Sequence, residues 1–436
     1  MAIDHPTPIS DQPAPPDPRR LRAANRAAVA FYREQLGGEH ARGVRDYLRI
    51  RGLGTLARHD SDEGPARWLV GYAPRAWTAL THQLRAEGFT GQELVAAGLS
   101  VRTRNQRLID RFRDRLMFPI RDPAGHPLGF IGRAAPAAGP AVPKYLNTPE
   151  TALYRKGTVL FGVAEQQDRI QAGWRPVVVE GPIDAIAVRL SHTSHGRSGA
   201  IGVASCGTTL THAQATILCN MPGAGNGIVV AYDDDPAGHT ATERAWSVLR
   251  NAVPPGPLLA AALAGGDPAD LLRSDGGRAA VRNAVQGQAY PLVQAVIDHR
   301  LTKLTTRHPR LFEDIAGRCA AVRAVVPLLF DAVNAAQATE LATRVTERLG
   351  VGLDTVAIAM AEHVDGSLHD AGTALEQAAL GRPPPVRSIH RSPSAAILAF
   401  PTLRMVGTTH RTDALATTGE RPVGRRDSIG RTQGSC

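Results

Sequence analysis

The sequence predicts an α/β protein: a parallel sheet with helices on both faces, preceded by an α+β basic subdomain and followed by a small helical bundle. Three observations predict it. Between about 174 and 275, four short apolar runs, "PVVVEG", "AIGVAS", "GIVVAY" and "PLLAAAL", alternate with helical patterns, as expected of strands covered on both faces. Upstream, "RLMFPIRDPAGHPLGFIGRA" joins two apolar runs through the turn-forming "DPAGH". Downstream, from about 288 to 365, only helical periodicity remains, as in Leu292, Val293, Val296, Ile297 and Leu301.

In chain order, residues 1–20, "MAIDHPTPISDQPAPPDPRR", are Pro-rich and polar, too poor in apolar surface to offset ordering entropy, and are expected to form a disordered leader. Residues 21–173 open with helical patterns that give way to the short strands of the basic subdomain. The parallel sheet is assigned to 174–275 and the helical subdomain to 276–366. From 367 to 436 the chain is rich in Pro, Ser, Thr, Gly and Arg, and after residue 385 eight arginines face three acids, so a disordered basic tail is expected, with "AAILAF" as its apolar segment. The sequence shows no internal repeat.

A net charge of +10 and a pI near 10 point to a polyanionic partner, nucleic acid ahead of membrane, because no basic amphipathic helix carries an aromatic face. Cys206, Cys219, Cys319 and Cys436 form no C-x-x-C pair and no Cys/His cluster of zinc-ligand spacing, so neither disulfides nor zinc are expected. The fifteen histidines show no ligand spacing, and His212 and His239 read as surface residues. Arg19-Arg20 is followed by no apolar stretch of the kind an export signal needs, and no run approaches the eighteen or so apolar residues of a membrane span. The expected location is the cytoplasm.

Ligands of an open parallel sheet bind beyond the carboxyl ends of its strands, and the acids fall there. Glu180 ends the first apolar run, Asp184 lies one helical turn on, Asp233, Asp234 and Asp235 end the third run, and "GGDPAD" with Asp267 and Asp270 follows the fourth. Asp235 before Pro236 and Asp267 before Pro268 read as helix N-caps, a role compatible with ligation. Capping leaves the repulsion within the group unexplained, and a divalent cation would remove it. All-oxygen ligands favour Mg²⁺, with Mn²⁺ as a substitute. Asp233 and Asp235, alternate residues at a strand end, would face one ion while Asp234 points elsewhere. "GVASCGTTLTHAQ" supplies a turn and a capping box of Thr211 and Gln214, with Cys206 as a small buried residue.

The stretch "PKYLNTPETALYRKG" holds Lys144 and Lys156, two of only three lysines among 50 Lys and Arg residues. Two readings stay open: solvated surface lysines, or compact point charges for phosphate in a role that the planar Arg fork fills differently.

Together, "FYREQL", "RDYLRIRGL", "DRFRDRLMFPIRD", "GFIGR", "PKYLNTPET", "RKG", "VVVEGPIDAIA", "GTTLT", "AYDDDPAG" and "GDPADLLR" resemble the RNA-polymerase core of bacterial DnaG-type DNA primases, including their TOPRIM domain, from Phe31 to the helices near 365. The resemblance implies a nucleotidyltransferase that makes short RNA primers on single-stranded DNA from ribonucleoside triphosphates. It implies that Glu180 supports proton transfer and, with Asp184, Asp233, Asp235 and Asp267, belongs to the metal site. Arg51, Arg133, Lys144, Tyr145, Asn147 and Lys156 match positions that contact template or nucleotide phosphates, which favours the phosphate reading of the lysines. Departures accompany it. No counterpart of the family's zinc ribbon or helicase-contacting domain is found, so a separate zinc-ribbon protein and the replicative helicase are the expected partners. Where the family has D-P-D, this chain has Asp267-Pro268-Ala269-Asp270. The competing readings are a TOPRIM nuclease, which needs no "PKYLNTPET" block, a non-catalytic single-strand-binding accessory protein, and a topoisomerase, for which no strand-passage region follows the acids.

Overall fold

The central element of the computed structural model is a five-stranded sheet of order β11-β10-β9-β7-β8, formed by β7 (Arg175–Val179), β8 (Ala200–Ala204), β9 (Ile228–Val230), β10 (Leu258–Ala260) and β11 (Tyr290–Pro291). The structure describes residues 16–57, 67–139, 141–192, 198–207, 209–263 and 266–379, with side chains as far as 366 except that of Leu311. The first four strands of this sheet are the four apolar runs, all parallel. β11 is an antiparallel edge strand that the helical reading of 276–366 did not anticipate. Two residues are too short to show a period, and only pairing with Leu259 and Ala260 makes them a strand.

Both faces of the sheet are buried, and period-two alternation divides its residues between two cores. Val178, Ile201, Val203, Ile228 and Val230 face a core shared with Leu292, Val296, Leu301, Val322 and Leu341 of the helical bundle. Val177, Val179, Ala200, Ala204, Val229 and Ala231 face a second core shared with Leu48, Trp68, Leu116, Phe118 and Ile120 of the upstream region. The bundle and the upstream subdomain thus lie on opposite faces of one sheet.

The upstream subdomain is built on an antiparallel sheet of order β1-β4-β5-β6, with β1 (Gly71–Ala73), β4 (Arg115–Arg121), β5 (Pro127–Ala134) and β6 (Tyr145–Asn147); β2 (Ser100–Arg102) and β3 (Leu108–Asp110) form a separate hairpin. β4 and β5 are the hairpin read from the sequence, closed by Asp122–His126 with Gly125 at positive φ. The leader assignment of 1–20 extends too far. Asp17 caps a helix over Pro18–Gly37, and its Oδ1 accepts from the Arg19 amide at 2.8 Å, a start signal outweighed in the sequence by the surrounding prolines. The tail assignment of 367–436 begins too early, since the last helix spans Leu353–Ala379. The remainder of both segments, 1–15 and 380–436, lies outside the described residues. No helix among the described residues is long and apolar enough to cross a membrane.

The helix Pro182–Leu190 packs on β8 so closely that a Cβ on Gly202 would stand 2.3 Å from the Ala185 carbonyl oxygen and 2.6 Å from its Cα. Gly202→Ala must therefore push that helix, which carries Asp184, off the sheet. Overpacking of this kind costs about 2 kcal/mol, and the urea midpoint should fall accordingly. An unchanged midpoint would show that the packing is looser than described.

Candidate active site

The acids stand where the chain leaves the parallel sheet. Glu180 directly follows β7, and Gly181 and Pro182 turn the chain into the helix Pro182–Leu190 with Asp184 in its first turn. After β9 the Ala231 amide still donates to the Val178 carbonyl at 2.8 Å, so the triplet Asp233 to Asp235 lies in the following turn and not at the strand end expected for it. Asp235 caps the helix Pro236–Asn251, accepting from the Ala237 and Gly238 amides at 2.8 and 2.7 Å. Asp267 caps Pro268–Leu272 and accepts from the Asp270 amide at 2.6 Å. Asp234 does point elsewhere, to His239 Nε2 at 2.7 Å.

Crowding at this rim shows in the carboxyl groups themselves. Burial and then Asp233 push Glu180 above the usual carboxylate range, and Lys144 draws it partly back. Asp233 is raised by burial and by Asp267, again against the pull of Lys144. Asp184 is raised furthest, by burial and then by Asp267 and Asp233, with the Ala269 amide and Arg133 opposing. Its Oδ1 is buried without a hydrogen-bond partner. A divalent cation would satisfy that oxygen and cancel the repulsion, and an all-oxygen donor set suits Mg²⁺ or Mn²⁺, so the residues fit such an ion. Among the described residues no three of these five acids bring carboxylate oxygens within 4.8 Å of one another, and cap bonds hold Asp235 and Asp267 to their own helices.

Facing the rim is a wall of alternating cations and rings. The Arg51 guanidinium lies 5.6 Å from the Tyr47 ring, Arg133 lies 5.2 Å from Tyr47 and 5.3 Å from Tyr145, and the Lys144 ammonium is 6.0 Å from Tyr145. Arg133 also donates to the Tyr145 hydroxyl at 2.8 Å. That hydroxyl closes on the rim: a Cβ at Gly181 would stand 2.9 Å from it and 3.1 Å from Asp184 Oδ2, so Gly181 leaves the gap through which the wall meets the acids. At the other end of β6, Asn147 Nδ2 donates to the Cys206 carbonyl at 2.7 Å, anchoring the strand to the turn after β8. Lys156 stands apart from Lys144. It lines a cavity of about 370 Å³ with Arg111, Tyr145, Asn147 and Glu150, beside the rim.

Sequence reasoning missed Tyr47 and Arg111, although both lie inside blocks it singled out. Arg111 donates through Nε and Nη2 to the Asn147 carbonyl at 3.2 and 2.9 Å, a pairing across 36 residues that no local pattern reveals. Arg51 pairs with Asp270 at 2.7 Å and lies 3.8 Å from Asp267. In Asp267-Pro268-Ala269-Asp270 the second carboxylate is thus an ion-pair partner of the wall, and Ala269 is buried.

Asp184→Asn removes a buried charge from this crowd with little change in volume. In chelator-treated protein it should raise the melting temperature by about 2–4 °C, equivalent to about 1 kcal/mol, as read by circular dichroism. A fall would mean that the carboxylate is already compensated.

Residues 31–167 match the family model for the DNA primase catalytic core, N-terminal domain, and residues 177–266 match the Toprim-like model. A DNA primase of Mycolicibacterium smegmatis is 37% identical over 315 residues, covering 71% of this chain and 46% of the relative; the chain spans about half the length of the curated relatives it matches. The crystal structure of the RNA polymerase domain of Mycobacterium tuberculosis primase DnaG shares 32% identity with a TM-score of 0.61, covering 76% of this chain and 99% of that one. A DnaG primase catalytic domain bound to ssDNA shares 32% identity with a TM-score of 0.55, covering 76% of this chain and 96% of that one. With a TOPRIM-type sheet, an acidic rim and a basic wall arranged on that framework, the chain belongs to the bacterial DnaG-type primase family.

Proposed function

We propose that this chain is a template-directed RNA-primer synthase, joining ribonucleotides on single-stranded DNA by metal-dependent nucleotidyl transfer in the cytoplasm. The observation that carries the reading is the juxtaposition of Asp184, Glu180 and Asp233 with the Arg133–Tyr145–Lys144 wall across Gly181. A nuclease or a strand-binding protein needs one of these walls; positioning a triphosphate against a primer end needs both.

In this reading Glu180, Asp184, Asp233, Asp235 and Asp267 hold Mg²⁺, or Mn²⁺ in its place. Bound there, the cation neutralises phosphate charge and polarises the phosphorus centre. Lys144, whose charge reaches both Glu180 and Asp233, holds an incoming phosphate at the rim as a point charge. Arg133 is kept in place by Tyr47 and Tyr145 and presents a fixed positive field. Arg111, Asn147 and Lys156 shape the neighbouring cavity, which takes template or nucleotide. Glu180, beside the backbone amide of Asp233 at 3.4 Å, accepts the proton of the attacking hydroxyl. Arg51 holds Asp270 and Asp267 toward the wall, fixing the angle between the two sides of the cleft.

Incorporation of labelled ribonucleotides on single-stranded DNA with Mg²⁺ or Mn²⁺ tests the proposal. Short RNA products are expected. Strand binding without synthesis under either ion would make the chain an accessory protein, and degradation of the strand would make it a nuclease. Asp233→Asn should lower synthesis by at least about a thousandfold, roughly 4 kcal/mol of transition-state stabilisation, and leave DNA binding within about twofold. The two lysines should separate kinetically. Lys144→Arg should lower kcat about tenfold or more, because it disturbs a charge placed against the acids, whereas Lys156→Ala should mainly raise KM for nucleotide. Normal kinetics in both variants would return the lysines to ordinary surface residues.

A further inference from the structure

Spacing along the chain gives no sign of a histidine metal site, yet the fold assembles one. Asp234 lies in the turn after β9, His239 in the first turns of the helix Pro236–Asn251, and His299 in the bundle helix Leu292–Arg307, sixty residues further along. One ligand atom from each lies within 4.8 Å of the other two, and this is the group of three or more such residues found among the described ones. His239 Nε2 is 2.7 Å from Asp234 Oδ1, and the two imidazoles stack at 3.7 Å between centroids with 15° between their planes. His239, read from the sequence as a surface residue, is half-buried, as is His299.

We propose that Asp234, His239 and His299 form a binding site for a divalent cation of the Co²⁺, Ni²⁺ or Zn²⁺ class, separate from the all-oxygen rim, which ties the TOPRIM sheet to the helical bundle. The donor set decides the class: imidazole suits these borderline metals and serves Mg²⁺ poorly. His299 Nδ1 is buried with no hydrogen-bond partner, a donor atom the fold itself leaves unused. Burial and the adjacent His239 ring push its pKa down to about 4, which keeps the imidazole neutral. Asp298, the acid beside it, is already engaged by Arg344 at 2.8 Å and Arg348 at 2.9 Å, so the helix carrying His299 is held against Ala335–Leu349 without drawing on the candidate ligands. Metal bonds of about 2.0–2.1 Å in a tetrahedral site require ligand atoms about 3.4 Å apart, so Asp234 Oδ1 and His239 Nε2 must separate from 2.7 Å and the two rings must turn out of their stack for their nitrogens to converge on one ion. Water would complete the coordination.

The site would act as a removable cross-link. It joins the turn that carries Asp233 and Asp235 to the bundle, so an ion held there fixes the acidic turn from behind. This inference concerns ion binding and holds whether or not the chain makes primers.

Titration of the full chain with Co²⁺ in excess Mg²⁺ tests it, read by ligand-field absorption in the visible and by the stoichiometry. One Co²⁺ per chain with a visible band is expected. His299→Gln and His239→Gln should each weaken it at least about tenfold, while Glu180→Gln should leave it within about twofold. Circular dichroism checks that each variant is folded; His239→Gln serves if His299→Gln is not. In parallel, Zn²⁺ should raise the melting temperature of the Mg²⁺-saturated wild type and not of the folded His variant. Co²⁺ affinity unchanged in the His variants, or lost in Glu180→Gln alone, would overturn the proposal.

Discussion

Negative charge held together against its own repulsion is the constraint on which this structure turns. Parallel strands all deliver their carboxyl ends to one rim, so Glu180, Asp184, Asp233 and Asp267 arrive there together whatever their preference. Burial raises the carboxyl groups of the first three above their ordinary range, and one Asp184 oxygen is left without a partner. Such a site persists only because the surrounding fold over-determines it. Two apolar cores on opposite faces of the same sheet hold the strands, and backbone packing at Gly202 holds the helix that carries Asp184.

The basic wall is the counterpart of that constraint and arrives by a different route. β6 is an edge strand of three residues, yet it presents Tyr145 to the rim and Asn147 to the turn after β8. Lys144 precedes it and acts on Glu180 and Asp233 through space. The wall is also tied directly to the acids through Arg51 and Asp270. Asp270 thus joins the wall as an ion-pair partner, while Asp267 caps its own helix.

The parallel sheet was legible because each of its four parallel strands lies within a short apolar run, and a fully buried strand has no other pattern to show. The acids were legible for a related reason: they follow those runs directly. What stayed hidden depends on contacts distant in sequence. β11 exists only by pairing with β10, Tyr47 and Arg111 acquire their places from partners in another part of the fold, and His239 meets His299 across sixty residues. The start of the first helix is a different case. Asp17 before Pro18 is a local signal, and the composition of its surroundings outweighed it. Lys144 and Lys156 looked like a matched pair because they share one stretch, but the fold sends one to the rim and the other to the adjoining cavity.

A divalent cation that relieves the rim's repulsion must stabilise the fold, and melting temperature against Mg²⁺ concentration tests this most directly. Wild-type protein should melt low in chelator and climb to a plateau as Mg²⁺ binds the native state. Asp233→Asn, with one charge fewer, should start higher and gain little, so that the two curves converge or cross. Parallel curves, with the same gain in both proteins, would show that the stabilising ion binds elsewhere and that these carboxylates are not its ligands.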